Sequence, residues 1–141
     1  MIQVAFYTGS ASWVNRAIRF VTRSPFSHCE IVIDGQGYTP KRGYSELYQR
    51  RPSEYLSDWE LVQVPWDEGA VRQFVSVNNR IDYDLRSLIA HLVPGMHDSI
   101  HAQNCSEFIV NLGSFVGDPR FHNRTAYRYA PSDVYRVINN G

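Results

Sequence analysis

Cys105 is the residue of this chain with the clearest chemical potential. It stands in Gln103-Asn104-Cys105-Ser106-Glu107-Phe108-Ile109-Val110, where a polar stretch gives way to apolar residues at Phe108, Ile109, Leu112, Phe115 and Val116. That i, i+1, i+4, i+7, i+8 spacing predicts a helix with one buried face. Asn104 is a good N-cap, because its side-chain oxygen can accept a backbone N–H that the first turn leaves unpaired. Cys105 is then expected in the first turn. There the helix dipole favours an anion, and a thiol pKa of about 8.5 can fall to roughly 3.5–7.5. The same N–H groups, Asn104 included, can hold a developing oxyanion. The competing reading of Cys105 is a small buried hydrophobe.

A thiol nucleophile needs a base, and His28 is the candidate. It opens Ser27-His28-Cys29-Glu30-Ile31-Val32-Ile33, a β-prone run. Strand alternation puts His28, Glu30 and Val32 on one side and Cys29, Ile31 and Ile33 on the other. The Ile31 and Ile33 side is expected to be the deeper core, which makes Cys29 a core residue. His28 and Glu30 are expected to point together toward the layer where the Cys105 helix packs. An imidazole can take or share the thiol proton, and a third polar group can orient the ring. Glu30 is a candidate for that third group. The competing readings are a hydrogen-bonded strand histidine and a solvated carboxylate.

A rival constellation precedes the cysteine. His97, His101 and Cys105 follow i, i+4, i+8 spacing with Asp98 adjacent. On a continuous helix they would share one side, as zinc ligands require. Pro94-Gly95 and Gln103-Asn104 instead suggest a loop from Met96 to Ala102, and a fourth ligand at typical spacing is lacking, so no metal is assigned.

The elements that must position these groups are read from periodicity. Ile2 to Tyr7, Phe26 to Ile33 and Trp59 to Val64 read as strands, and Tyr38 to Gly43 as a strand and turn. Asp34-Gly35 is a hairpin signal. Helices are expected over Trp13 to Thr22, Asp67 to Asn79, the Leu-rich stretch after Tyr83-Asp84, the Cys105 segment and Val134 to Ile138. Tyr44 to Ser57 is polar, rich in Arg and Tyr, and reads as irregular with some helix. Strands and helices do not alternate as βαβ units, which points to an α+β fold with an antiparallel sheet packed against helices.

The chain of 141 residues suits a single domain, 1–141. Fourteen basic and fourteen acidic side chains balance, so no nucleic-acid footprint is expected. Two cysteines make no disulfide scaffold and fit a reducing compartment. No run approaches the ~20 apolar residues of a membrane span, so stable membrane insertion is not expected. Met1 to Phe6 lacks a basic region and cleavage site, so no signal peptide is read.

Taken together, these blocks resemble a known family. Arg19 to Ile33, with its Ser27-His28-Cys29-Glu30, resembles the first signature of the circularly permuted, NlpC-like papain-fold cysteine hydrolases, the YiiX-like group. Tyr83-Asp84 before a Leu-rich helix, Asn104-Cys105-Ser106-Glu107-Phe108 and Ala130-Pro131-Ser132-Asp133-Val134 follow in the family's order. The variant with Cys-Glu after the histidine looks most like small phage and prophage proteins. The resemblance implies a permuted papain-like fold, a thiol nucleophile at Cys105 on a helix N-terminus, a base at His28 and no cofactor. Many relatives carry a carboxylate on the strand after the histidine strand, where this chain reads Gly37-Tyr38-Thr39-Pro40. The third member is therefore Glu30, Gln36 or Tyr38, with Glu30 preferred. Tyr7 can reach the site as an oxyanion donor, or simply pack.

Three functions follow as expectations. The first is amide hydrolysis through a thioester, with a cell-wall stem peptide as substrate. The second is lipid deacylation or acyl transfer on the same scaffold. The third is a non-catalytic phage structural or binding module.

Overall fold

The computed structural model describes residues 1–9, 16, 17, 20, 25–41, 44, 46–79, 97–122, 126 and 129–140, with 97–104 described by backbone alone. The helices expected over Trp13 to Thr22 and after Tyr83-Asp84 lie mainly or wholly outside these residues. Five strands form one antiparallel sheet: β1 (Ile2–Tyr7), β2 (His28–Ile33), β3 (Gln36–Thr39), β4 (Tyr48–Arg50) and β5 (Trp59–Gln63), in the order β4-β3-β2-β1-β5. Three α-helices accompany it among the described residues: α1 (Glu68–Val77), α2 (His97–Phe115) and α3 (Pro131–Asn140). The fold class is α+β, as expected from the sequence.

The β2–β3 hairpin turns on Asp34 and Gly35, at φ 50° and 85°. Two consecutive positive φ values are what a two-residue turn needs to match strand twist, and Asp-Gly tolerates them. Register then decides which faces meet. Ile2, Val4 and Phe6 stand opposite Ile33, Ile31 and Cys29, and all six are buried in the core. Alternation thus gives the sheet one continuous apolar face.

The helices cover that face. From α2, Phe108, Ile109 and Leu112 are buried in it, joined by Val71, Phe74 and Val75 of α1 and Val134 and Ile138 of α3. Phe74 meets Phe108 edge-on at 5.3 Å. The α2 helix therefore packs on the Cys29–Ile31–Ile33 side, not on the His28–Glu30 side expected from the sequence. The reason is apolar area: the Cys29 side has no charged residue on β1 or β2, whereas Glu30 interrupts the other. Phe115, expected on the buried stripe, is half-exposed at the helix end.

Helix α2 also begins eight residues earlier than expected. It runs from His97 to Phe115, so Cys105 is its ninth residue and not in its first turn. The loop expected over Met96 to Ala102 is helical from His97, and Asn104 is an interior residue, not an N-cap. An asparagine inside a helix is disfavoured by only about 0.7 kcal/mol or less relative to alanine, and Ala102 and Gln103 are good helix formers. A capping signal is a local preference, and it is too weak by itself to decide where a helix starts.

The sequence C-terminal to α2 is fastened by Asp118. Its carboxylate accepts from Trp66 Nε1 at 2.7 Å and from Arg120 Nη2 at 2.7 Å, while Arg120 Nη1 donates to the Ile138 carbonyl at 2.9 Å. One buried acid thereby joins the segment after β5, the end of α2 and the end of α3.

Candidate active site

The site is built where β2 begins: His28 and Glu30 lie on the second face of the sheet, and Cys105 comes from α2, which packs on the first. His28 and Glu30 project to the same side, as alternation requires, and His28 Nε2 lies 3.3 Å from Glu30 Oε2. Glu30 is fully buried, which corrects the reading of a solvated carboxylate. A buried carboxylate is costly unless its oxygens are satisfied. Here Arg50 Nε donates to Oε1 at 2.9 Å, and the Tyr55 hydroxyl donates to the same oxygen. Burial alone would raise the Glu30 pKa; the contacts with His28, Tyr55 and Arg50 outweigh it and hold the carboxyl below its usual range. Burial and the Glu30 charge push the Tyr55 hydroxyl far above its ordinary value, so it remains a donor.

A glycine makes this arrangement possible. Gly37 stands opposite Val32 on one side and Arg50 on the other. A methyl group there would collide with the Tyr55 hydroxyl and the Glu30 carboxylate. Gly37 thus leaves the gap through which Tyr55 reaches Glu30. Gly37→Ala is expected to destabilise the fold by about 1–3 kcal/mol, the usual scale for overpacking, measured as a lower urea midpoint with unchanged m-value. An unchanged midpoint would show that Tyr55 and Glu30 do not depend on this gap.

Cys105 reaches the same place from α2. It is almost wholly buried, 1% exposed, and is hydrogen-bonded with both His28 and Cys29. Burial by itself would push the Cys105 thiol up. The hydrogen bond with Cys29 and the charge and hydrogen bond of His28 reverse this and take it well below its ordinary value. For His28, burial would lower the pKa, but the Cys105 sulfur beside it, and then Glu30, carry it up to about 10. Opposite shifts at one contact are the direction that favours a thiolate–imidazolium pair. The helix dipole, effective only over a first turn, does not hold the ninth residue of α2. Side chains do.

Aromatic rings wall the pair. Tyr7 stands opposite His28 and beside Trp59 in the β2–β1–β5 register, with the Tyr7 and Trp59 rings 5.0 Å apart. Trp59 meets His28 edge-on at 6.1 Å and Tyr55 at 5.2 Å, and the Arg50 guanidinium lies 4.7 Å from its centroid. Comparison with known protein families, curated proteins and solved structures finds no match for this chain.

The structure thus brings together Cys105, His28 and Glu30, with Tyr7 at the margin. It does not bring in Tyr38 or Gln36. Tyr38 is paired with Ile31 and packs against the core face, and Gln36 is paired with Ile33 at the far end of β2. The Asn104 and His101 side chains lie outside the described residues. Among the described residues no cluster of three or more metal-ligating side chains occurs, and no helix is long and apolar enough to cross a membrane. Sequence reasoning missed Arg50, Tyr55 and Trp59. The one signal available was Glu30 itself: an acid inside Cys29–Ile33 must find a cation and a donor, and the Arg- and Tyr-rich stretch from Tyr44 to Ser57 holds both.

Proposed function

We propose that this protein is a cysteine hydrolase that cleaves an amide bond through a thioester, on a permuted papain-like, NlpC-like fold. The observation that carries this reading is the unbroken line from the Cys105 sulfur through the His28 ring to the buried Glu30 carboxylate. In the reaction the thiolate attacks the substrate carbonyl carbon and a tetrahedral intermediate forms. His28 then gives its proton to the leaving amine as the C–N bond breaks, leaving a thioester on Cys105. His28 next takes a proton from water, whose oxygen attacks the thioester and releases the acid and the thiol. Glu30 fixes the ring and favours the imidazolium, as the third member of such triads does. No cofactor enters.

A peptide of the bacterial cell-wall stem type is the favoured substrate, on the strength of the resemblance of the His28 and Cys105 blocks. The decisive experiment offers the protein short stem peptides and, separately, acyl lipids, and weighs the acid-quenched protein. An adduct equal to the acyl part of the peptide, linked to Cys105, is expected from the first and not the second. An adduct from the lipid alone would move the function to lipid deacylation. No turnover and no adduct from either would leave a binding module.

A further inference from the structure

The hydrolytic mechanism uses Cys105 and leaves a second thiol of the same buried cluster without a task. Cys29 sits one residue after the base, on the side of β2 that α2 covers, and is completely buried. Its thiol is hydrogen-bonded with Cys105 and lies 3.9 Å from the hydroxyl of Ser106, the next residue along α2. Both thiols belong to the same buried cluster where β2 meets α2, and a disulfide there would have to close to an S–S length of about 2.05 Å.

We propose that Cys29 is a resolving thiol, and that an oxidant of the peroxide class converts Cys105 and Cys29 into a reversible disulfide joining β2 to α2. The proposal uses the Cys105 thiolate but not the hydrolysis, so it stands or falls apart from the enzymatic reading. In the first step the Cys105 sulfur attacks one peroxide oxygen and the O–O bond breaks. The departing hydroxide takes the His28 proton and leaves as water, and Cys105 becomes a sulfenic acid. In the second step the Cys29 sulfur attacks the Cys105 sulfur as the S–O bond breaks. The hydroxide released accepts the Cys29 proton and leaves as a second water. Two thiols are oxidised by two electrons and one peroxide is reduced to two waters. A small thiol reductant reverses the change by exchange.

The chemistry explains why a second buried thiol is useful here. A thiolate poised beside an imidazolium is the form that peroxide attacks, and without a partner it proceeds to sulfinic acid, which thiols do not reverse. Cys29 is held protonated by burial and by the neighbouring Cys105 sulfur, so it does not compete as the first target. Closing the bond also removes the nucleophile, so the oxidised protein is inactive until reduced.

The test treats the intact protein with hydrogen peroxide and reads mass and peptides. Expected for the native sequence is a loss of two hydrogen atoms, a linked peptide pair carrying Cys29 and Cys105, and full return of both thiols with dithiothreitol. Cys29→Ala is expected to gain two or three oxygens on Cys105 that dithiothreitol does not remove. If that variant does not fold, the linked peptide in the native protein decides alone. A native protein that gains oxygens as the variant does, or one left unmodified by peroxide, overturns the proposal. A protein that forms the bridge yet cleaves no amide sinks only the hydrolase reading.

Discussion

His28→Ala is expected to slow alkylation of Cys105 by iodoacetamide about a hundredfold at pH 6. In the native protein the Cys29 hydrogen bond and the His28 imidazolium overcome the effect of burial and take the thiol well below its ordinary value, toward the ionised form. Without the imidazolium only the Cys29 hydrogen bond still opposes burial, and the thiol rises toward the free value of about 8.5, where about 0.3% is thiolate at pH 6. The greater nucleophilicity of the more basic thiolate recovers part of the loss, which leaves about two orders of magnitude. The native rate is expected to be flat with pH down to an acid limb set by Cys105. The sign follows from the shifts. The Cys105 pKa is lowered, so its contribution to stability is present above the ordinary thiol value and lost as pH falls through the lowered one. The His28 pKa is raised to about 10, so its contribution is complete below about 6.5 and lost as pH rises through about 10. The ion pair therefore spans neutral pH. Equal alkylation rates for native protein and variant at pH 6 would remove the activated thiol, and the hydrolase with it.

The second large effect belongs to Glu30. Glu30→Gln keeps the volume but removes the charge that Arg50, Tyr55 and His28 share. Breaking a buried ion pair costs about 3–5 kcal/mol. Arg50 is a fifth exposed and retains Glu54 at 3.8 Å, so about 3 kcal/mol is expected, seen as a lower unfolding midpoint. The change has a second signature that a structural role alone would not produce. Glu30 helps to raise the His28 pKa, so its loss should draw the alkaline limb of activity down from near pH 10. It should also slow hydrolysis by roughly 10²-fold or more, the scale of impaired acid–base catalysis. A destabilised variant with an unmoved alkaline limb would make Glu30 a structural residue and leave the base without an orienting partner.

Much of the sheet was legible because its residues obey a period of two. Ile2, Val4 and Phe6 on β1, and Ile31 and Ile33 on β2, announce both the strands and their buried face. The same alternation puts His28 beside Glu30, so two of the three central site residues could be read from three consecutive positions. Two things could not. The start of α2 at His97 was masked by Asn104, whose capping preference is local and small. The partners of Glu30 were hidden because Arg50 lies on a three-residue strand and Tyr55 beside a single 3₁₀ turn at Pro52–Glu54, elements too short to carry a period. Alternation was right to make Cys29 a core residue, but core and site adjoin at this end of β2, and no one-dimensional pattern reports that.

The position of Arg50 has one more consequence. The cation that balances Glu30 rides on β4, which is three residues long, occupies the margin of the sheet and is hydrogen-bonded to β3 alone within it. Such a strand frays at a far smaller free energy than the buried centre. Each time it lifts, the acid behind His28 is stranded without its counter-ion while β1 and β2 stay intact. Thermal inactivation should therefore run several degrees ahead of melting, with deuterium entering the amides of 48–50 before those of 4–6.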